Sequence, residues 1–181
     1  PRRLSALTGN ILLLSKLSNQ SILPQKTQFR LDEQIRQAIV ALEQKWSEKE
    51  LGFEVELAET PFFGYESLLP HVWTNLIGNA VKFSPKGGEI RIKMMRTEGA
   101  VVFTIEDDGP GIVPGDEEHI FTKFYQSESS HGMEGNGLGL ALVRQIVEMS
   151  GGSVDVQNLE AGGCRFTVRL PLEQEKGAAF S

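Results

Sequence analysis

Leu4, Leu7, Ile11, Leu14 and Leu17 recur three or four residues apart near the start of the chain. That spacing predicts a helix over residues 4 to 18 with one apolar stripe. The stripe has two readings: packing on its own domain, or a coiled-coil-like seam for a partner helix. Two heptads do not separate them. Asn19 to Gln28 is polar, contains Pro24 and reads as a linker. A short strand follows at Phe29 to Leu31. Asp32 then reads as an N-cap, and Ile35, Ile39, Leu42 and Trp46 keep a helical period up to Gly52, a candidate C-cap. Phe53 to Leu57 alternates apolar and charged residues, the pattern of a half-buried strand.

A second helix is predicted from about Glu66 to Phe83. Pro70 lacks a backbone donor and should bend or delay its first turn. The turn Ser84-Pro-Lys-Gly-Gly88 ends it. Strands are predicted at Glu89 to Arg96 and Ala100 to Glu106, joined around Gly99. The pattern loosens from Gly109 to Gly137, with a small helix near Glu117 to Tyr125. A third long helix, Leu138 to Ser150, precedes Gly151-Gly152, and strands near Ser153 to Gln157 and Arg165 to Leu170 close the domain. Hairpin-like strands interspersed with three substantial helices predict an α+β two-layer sandwich. Strict βαβ alternation is absent, which argues against a doubly wound sheet.

Composition narrows the function. The chain has 181 residues, 40% hydrophobic and 23% charged, enough for one buried domain with a small appendage. A net charge of -6 argues against a general nucleic-acid grip, which needs a basic face. The single cysteine, Cys164, allows no internal disulfide and no Cys-rich zinc site. No apolar run approaches the roughly 20 residues of a membrane helix, so this segment is expected to make no membrane contact.

Three pieces of sequence carry candidate chemistry. Asn75 and Asn79 stand four apart on the second long helix and share a face with Lys82. Amide oxygens suit Mg²⁺ and lysine suits phosphate, although buried asparagines also serve as caps and bridges to neighbouring backbone. Asp107-Asp-Gly-Pro-Gly111 follows the apolar run Val101 to Ile105. A carboxylate at a strand end can accept a hydrogen bond from the adenine amino group, where guanine presents a carbonyl. An Asp-Gly turn is the plainer reading. Gly135-Asn-Gly137-Leu-Gly139 leads into a helix, and glycines there let backbone approach a phosphate at the helix N-terminus. It fits neither the dinucleotide fingerprint nor a P-loop, and a flexible loop would look the same.

Jointly, the order and spacing of these pieces resemble the ATP-binding catalytic domain of sensor histidine kinases, within the Bergerat-fold ATPases. The likeness runs from about Phe29 to Pro171. His71 to Pro85 resembles the family's asparagine box, Asp107 to Ile112 its first glycine box, Ile120 to Gln126 its phenylalanine box, and Gly135 to Leu140 its second glycine box. The resemblance implies a mixed, mostly antiparallel sheet covered on one face by helices. It implies four parts: residues 1-20 as the end of a dimerisation-domain helix, 21-28 as a linker, 29-172 as the ATP-binding catalytic domain and 173-181 as a tail.

It also implies roles. Asn79, with Asn75, would hold Mg²⁺ on the ATP phosphates. Lys82 would contact phosphate, and Phe83 would lie against the adenine. Asp107 would read the adenine amino group, with Gly109 and Gly111 lining the base pocket. Ile112, Phe124 and Leu138 would complete the nucleotide contacts. Residues Gln126 to Gly135 would form a lid, with Gly137 and Gly139 as hinge and phosphate cradle. Hydrolysing relatives carry glutamate where Asn75 stands. An amide is no general base, so the γ-phosphate should be kept for transfer. Gln126 stands where the family often has an arginine that holds the terminal phosphate, and Lys123 is the candidate substitute. Thr122 replaces a commonly acidic residue.

A histidine kinase needs an acceptor histidine on a dimerising helix. His71, His119 and His131 read instead as packing or surface residues. The acceptor is therefore expected on a dimerisation domain of the same parent, outside this chain, with homodimer formation in the parent and a response regulator as downstream partner. Alone, the chain is expected not to phosphorylate itself. The resemblance places it in the cytoplasmic portion of a membrane-anchored parent. The alternative is a non-catalytic nucleotide-sensing module of the same fold.

Overall fold

The computed structural model describes residues 2–19, 23–126 and 137–173. Alternation along two strands defines its core. In β5 (Ala100–Asp107), Val101, Phe103, Ile105 and Asp107 are buried and the residues between them are not. In β7 (Cys164–Pro171), Cys164, Phe166, Val168 and Leu170 are buried in the same phase. Successive strand residues point to opposite faces, so these form one apolar side. β4 (Glu89–Arg96) adds Ile90, Ile92 and Met94.

With β2 (Gly52–Leu57) and β6 (Ser153–Asn158) these strands form a five-stranded sheet in the order β2-β4-β5-β7-β6. β2 pairs parallel with β4 and the other neighbours are antiparallel. On the opposite face Arg91, Glu106 and Arg165 form a charged ladder across β4, β5 and β7. Arg91 Nε donates to Glu106 Oε2 at 3.0 Å, and Arg165 grips Oε1. Burial alone would raise the Glu106 carboxyl, but the two arginines outweigh it and hold it below its ordinary value.

Helices cover the apolar face. In α4 (Leu69–Phe83), Leu69, Val72, Trp73, Leu76, Ile77, Ala80 and Val81 are buried, a stripe at helical period. Trp73 packs on Phe103 of β5 with ring centroids 4.9 Å apart. α5 (Gly139–Met149) lies beside α4 and against β6 and β7. α2 (Leu31–Ala41) packs on α4, and Trp73 Nε1 donates to Gln34 Oε1 at 3.1 Å. β1 (Thr27–Arg30) and β3 (Pro61–Gly64) form a separate antiparallel ribbon. Sheet below and helices above make the α+β two-layer sandwich expected from the sequence.

α1 (Arg2–Asn19) meets α5. Leu14 and Leu17 are buried in the shared core, while Ile11 is 43% exposed. The later part of the apolar stripe therefore packs on its own domain; the side chains of Leu4 and Leu7 lie outside the described residues.

Several local expectations need correction. The helix expected from Asp32 to Gly52 breaks at Leu42, where α3 (Glu43–Glu48) begins, and Gly52 opens β2 rather than capping a helix. Asp32 is not the N-cap. Arg30 holds that position, and Asp32 sits fully buried in the first turn. Its Oδ1 accepts Thr60 N–H at 3.0 Å, and its Oδ2 takes Arg30 Nη2 at 2.6 Å and Arg36 Nη1 at 2.7 Å. β3 was not expected at all, because Pro61-Phe-Phe-Gly64 has too few residues to show a period. Pro70 delays the start of α4, one of the two outcomes expected of it, and costs it no bond. It lies in the first turn, where the amide has no helical partner, and the helix starts later than Glu66. The small helix near Glu117 shrinks to a 3-10 turn at His119–Phe121.

Candidate functional site

Asp107 occupies the last inward-facing position of β5, directly beyond Ile105. The alternation that builds the core thus delivers a carboxylate to the end of the sheet. It is only 4% exposed. Its Oδ1 accepts Gly109 N–H at 2.8 Å, and its Oδ2 accepts the Cys164 thiol at 3.3 Å. Cys164 is its register partner on β7. Burial pushes the Asp107 carboxyl above its ordinary value, and the Gly109 and Cys164 bonds offset only part of that. Burial and the adjacent carboxylate push the Cys164 thiol up as well.

Over this floor lies an open cleft. Asn79 and Phe83, one helical turn apart on α4, form one wall. Pro110, Gly111, Ile112 and Val113 form the facing loop, with Ile120 beside them and Phe166 below. The lining is mostly apolar, with the carboxylate and one amide set into it, the usual make-up of a small-molecule site.

The last turn of α4 is fixed from outside. Lys49 Nζ donates to the carbonyls of Val81 at 2.7 Å and Lys82 at 3.0 Å, capping the helix end with a cation. Lys82 Nζ stands 5.0 Å from the Phe83 ring centroid. Asn75, one turn before Asn79, donates from Nδ2 to His71 O at 2.6 Å. Its Oδ1 faces the start of α5 so closely that a Cβ on Gly139 would lie 2.6 Å from it. Glycine at that position lets the two helices meet.

Of the residues singled out in the sequence, Asn79, Phe83, Asp107, Gly111 and Ile112 line the cleft together. Gly109 adjoins it through its bond to Asp107. Asn75, Gly137, Leu138 and Gly139 gather where α4 meets the start of α5, with Leu138 buried and Gly139 opening the helix. Lys123 is exposed, and Phe124 is 62% exposed with a left-handed φ of 62°. Phe124 N–H donates to Gly137 O at 2.9 Å, tying the phenylalanine-box strand of chain to the second glycine box. Gly135, His131 and nearly all of the expected lid lie outside the described residues. Sequence reasoning missed Cys164, Phe166, Pro110, Val113 and Ile120 as lining residues. Cys164 and Phe166 were legible in principle, since both fall on the inward phase of β7.

A buried carboxylate at a strand end, an asparagine-bearing helix above it and a glycine-opened helix beside that define an ATPase fold of the Bergerat type. The chain belongs to the family described as histidine kinase-, DNA gyrase B-, and HSP90-like ATPase, which matches residues 64–174. A curated relative, the sensor protein kinase PmrB of Pseudomonas aeruginosa, is 31% identical over 95% of this chain and 36% of its own length. Full-length ShkA, solved in complex with AMPPNP, aligns with a TM-score of 0.83 at 26% identity over 94% of this chain and 36% of that one. Histidine kinase ThkA, solved in complex with the response regulator protein TrrA, aligns with a TM-score of 0.79 at 26% identity, over 97% of this chain and 50% of that one. The chain thus spans about a third of the length of the curated relative. Among the described residues no helix is long and apolar enough to cross a membrane.

Proposed function

We propose that this chain is the ATP-binding catalytic part of a sensor histidine kinase. It takes Mg-ATP into the cleft and donates the γ-phosphate to a histidine on a dimerisation domain of the same parent. The imidazole nitrogen attacks phosphorus, the bond to the bridging oxygen breaks, and ADP leaves. The phosphoryl group then passes to an aspartate of a response regulator. The parent would act as a homodimer, anchored in a membrane with this part in the cytoplasm. The observation that carries the reading is Asp107, buried and oriented at the end of β5 opposite Asn79 and Phe83.

Asp107 would accept the adenine amino hydrogen and select adenine over guanine. Phe83 would lie against the base. The amide oxygens of Asn79 and Asn75 would hold Mg²⁺, and they fit it: both are hard oxygen ligands on one flank of α4, and the Asn75 NH₂ is already taken by His71 O, leaving its oxygen to act. Bound there, Mg²⁺ would neutralise phosphate charge. Lys82 would add a second positive charge, and the N-terminal amides of α5 would receive the phosphates. Asn75 is an amide and cannot deprotonate water, which supports transfer over hydrolysis. Lys123 would assist the terminal phosphate from the exposed side, with Phe124, Gly135 and Gly137 around the closing segment. Residues 1-20 would end the dimerisation stem, 21-28 link it, 29-172 form the catalytic domain and 173-181 the tail.

A parent-derived dimerisation fragment carrying the acceptor histidine, mixed with this chain and ATP labelled on the γ-phosphate, tests the reading. Label should move to the fragment and depend on Asn79 and Asp107. Tight binding without any transfer would instead identify a nucleotide-sensing module.

A further inference from the structure

Asn158 closes β6 and reaches the loop that follows β5. Its Oδ1 accepts Ile112 N–H at 2.7 Å, and its Nδ2 donates to Ile112 O at 2.8 Å. One side-chain amide thereby takes both backbone groups of one loop residue, as a neighbouring strand would. The loop is shaped to admit it. Gly111 has φ 79°, and a Cβ there would lie 2.6 Å from Asn158 Oδ1. Gly111 and Ile112 both line the cleft. At its other end the same loop is held by the bond from Gly109 N–H to Asp107 Oδ1.

We propose that Asn158 is a positioning residue of the nucleotide site, locking the Gly109–Ile112 loop as a preformed wall beside Asp107. This rests on the cleft being the nucleotide site. The loop has two glycines and pairs with no strand, so ordering it carries a large entropic cost. A clamp already in place meets that cost before ligand arrives, and the difference appears as affinity. Asparagine is suited to the task because it both donates and accepts. Aspartate of the same shape can only accept.

The test compares the wild type, Asn158→Ala and Asn158→Asp. Circular dichroism establishes folding, and fluorescent Mg-ATP and Mg-ADP analogues report affinity. Amide hydrogen exchange reads Ile112 directly. Both variants should bind about tenfold more weakly, by the same factor for ATP and ADP, because the loop adjoins the base-reading carboxylate. Ile112 exchange should accelerate in Asn158→Ala, which removes the acceptor of the Ile112 N–H, whereas Asn158→Asp keeps that acceptor and loses only the donor to Ile112 O. Asn158→Asp conserves shape, so a role in packing alone would leave it unchanged. If Asn158→Ala does not fold, Asn158→Asp and Gly111→Ala carry the same comparison. Folded variants with wild-type affinity, unchanged Ile112 exchange in Asn158→Ala, or a loss confined to ATP would each overturn the clamp. A wild type that binds neither nucleotide would overturn the functional reading and the clamp with it.

Discussion

Cys164 Sγ lies 3.3 Å from Asp107 Oδ2, across a paired position of β5 and β7, and donates its thiol hydrogen to the carboxylate. With Gly109 N–H on Oδ1, each carboxylate oxygen has a donor. The carboxylate is therefore set in one orientation before any ligand binds. The thiol that sets it is itself buried, and its pKa is pushed up. Thiolate is the reactive form, so iodoacetamide at pH 8 should label the native chain at least about tenfold more slowly than the denatured chain. Equal rates would show that the thiol is not held in this way. Cys164→Ser, which keeps a donor, should retain nucleotide affinity, and Cys164→Ala should weaken it several-fold.

Asp107 sets function against stability. Its folded-state carboxyl lies above its ordinary value because it is buried. The contribution it makes is thus present below the unfolded pKa of about 3.9 and is lost as pH rises through the folded value. Burial disfavours the ionised form of this carboxyl. Asp107→Asn should leave the melting temperature unchanged or higher, while lowering nucleotide affinity at least about tenfold. Wild-type affinity should also fall on acidification sooner than for an exposed aspartate. A variant that loses stability and keeps affinity would contradict both assignments.

Asp32 behaves oppositely. Burial alone would raise its carboxyl, but Arg30, the Thr60 amide and Arg36 outweigh it and hold it well below the usual range. Its stabilisation is therefore present above the unfolded value of about 3.9 and fades as pH falls towards the depressed one. Asp32→Ala strands the Thr60 amide and should cost about 2 to 3 kcal/mol in urea unfolding at pH 7. Nucleotide affinity should not change, since Asp32 does not line the cleft. A variant as stable as wild type would refute the buried anchor.

Gly139→Ala tests the α4–α5 seam. A helix normally gains up to about 1 kcal/mol from this change. Here the new Cβ would lie 2.6 Å from Asn75 Oδ1. Overpacking of that kind costs about 1 to 3 kcal/mol, so the variant should be less stable in urea and should disturb Asn75. A more stable variant would mean that the helices can part without penalty.

Legibility in the sequence followed the length of the periodic signal. α4, α5, β4 and β5 each present enough residues for a period of 3.6 or 2 to show, and they were placed to within a few residues. β3 has four residues, and the break at Leu42 leaves the apolar period intact, so neither could be seen. In the site, Asp107 and Asn79 were each ambiguous alone, and the joint order of the pieces, with the family resemblance it carries, made them candidates. Cys164 was hidden because a thiol in a strand looks like any small apolar residue. Asn158 was hidden because its partner, Ile112, is 46 residues away and is bonded through backbone atoms that no side-chain pattern records. The exchange of Asp32 from cap to buried anchor depended on Thr60, again distant in sequence.

Calorimetric titration of Mg-ATP into the wild type and into Asp107→Asn tests the central claim most directly. The wild type should bind at one site per chain. The variant should remain folded by circular dichroism and bind at least about tenfold more weakly, and GTP should compete poorly with ATP in the wild type alone. A wild type that takes up no nucleotide, or a variant that binds as tightly as wild type, would contradict the assignment of this cleft to ATP.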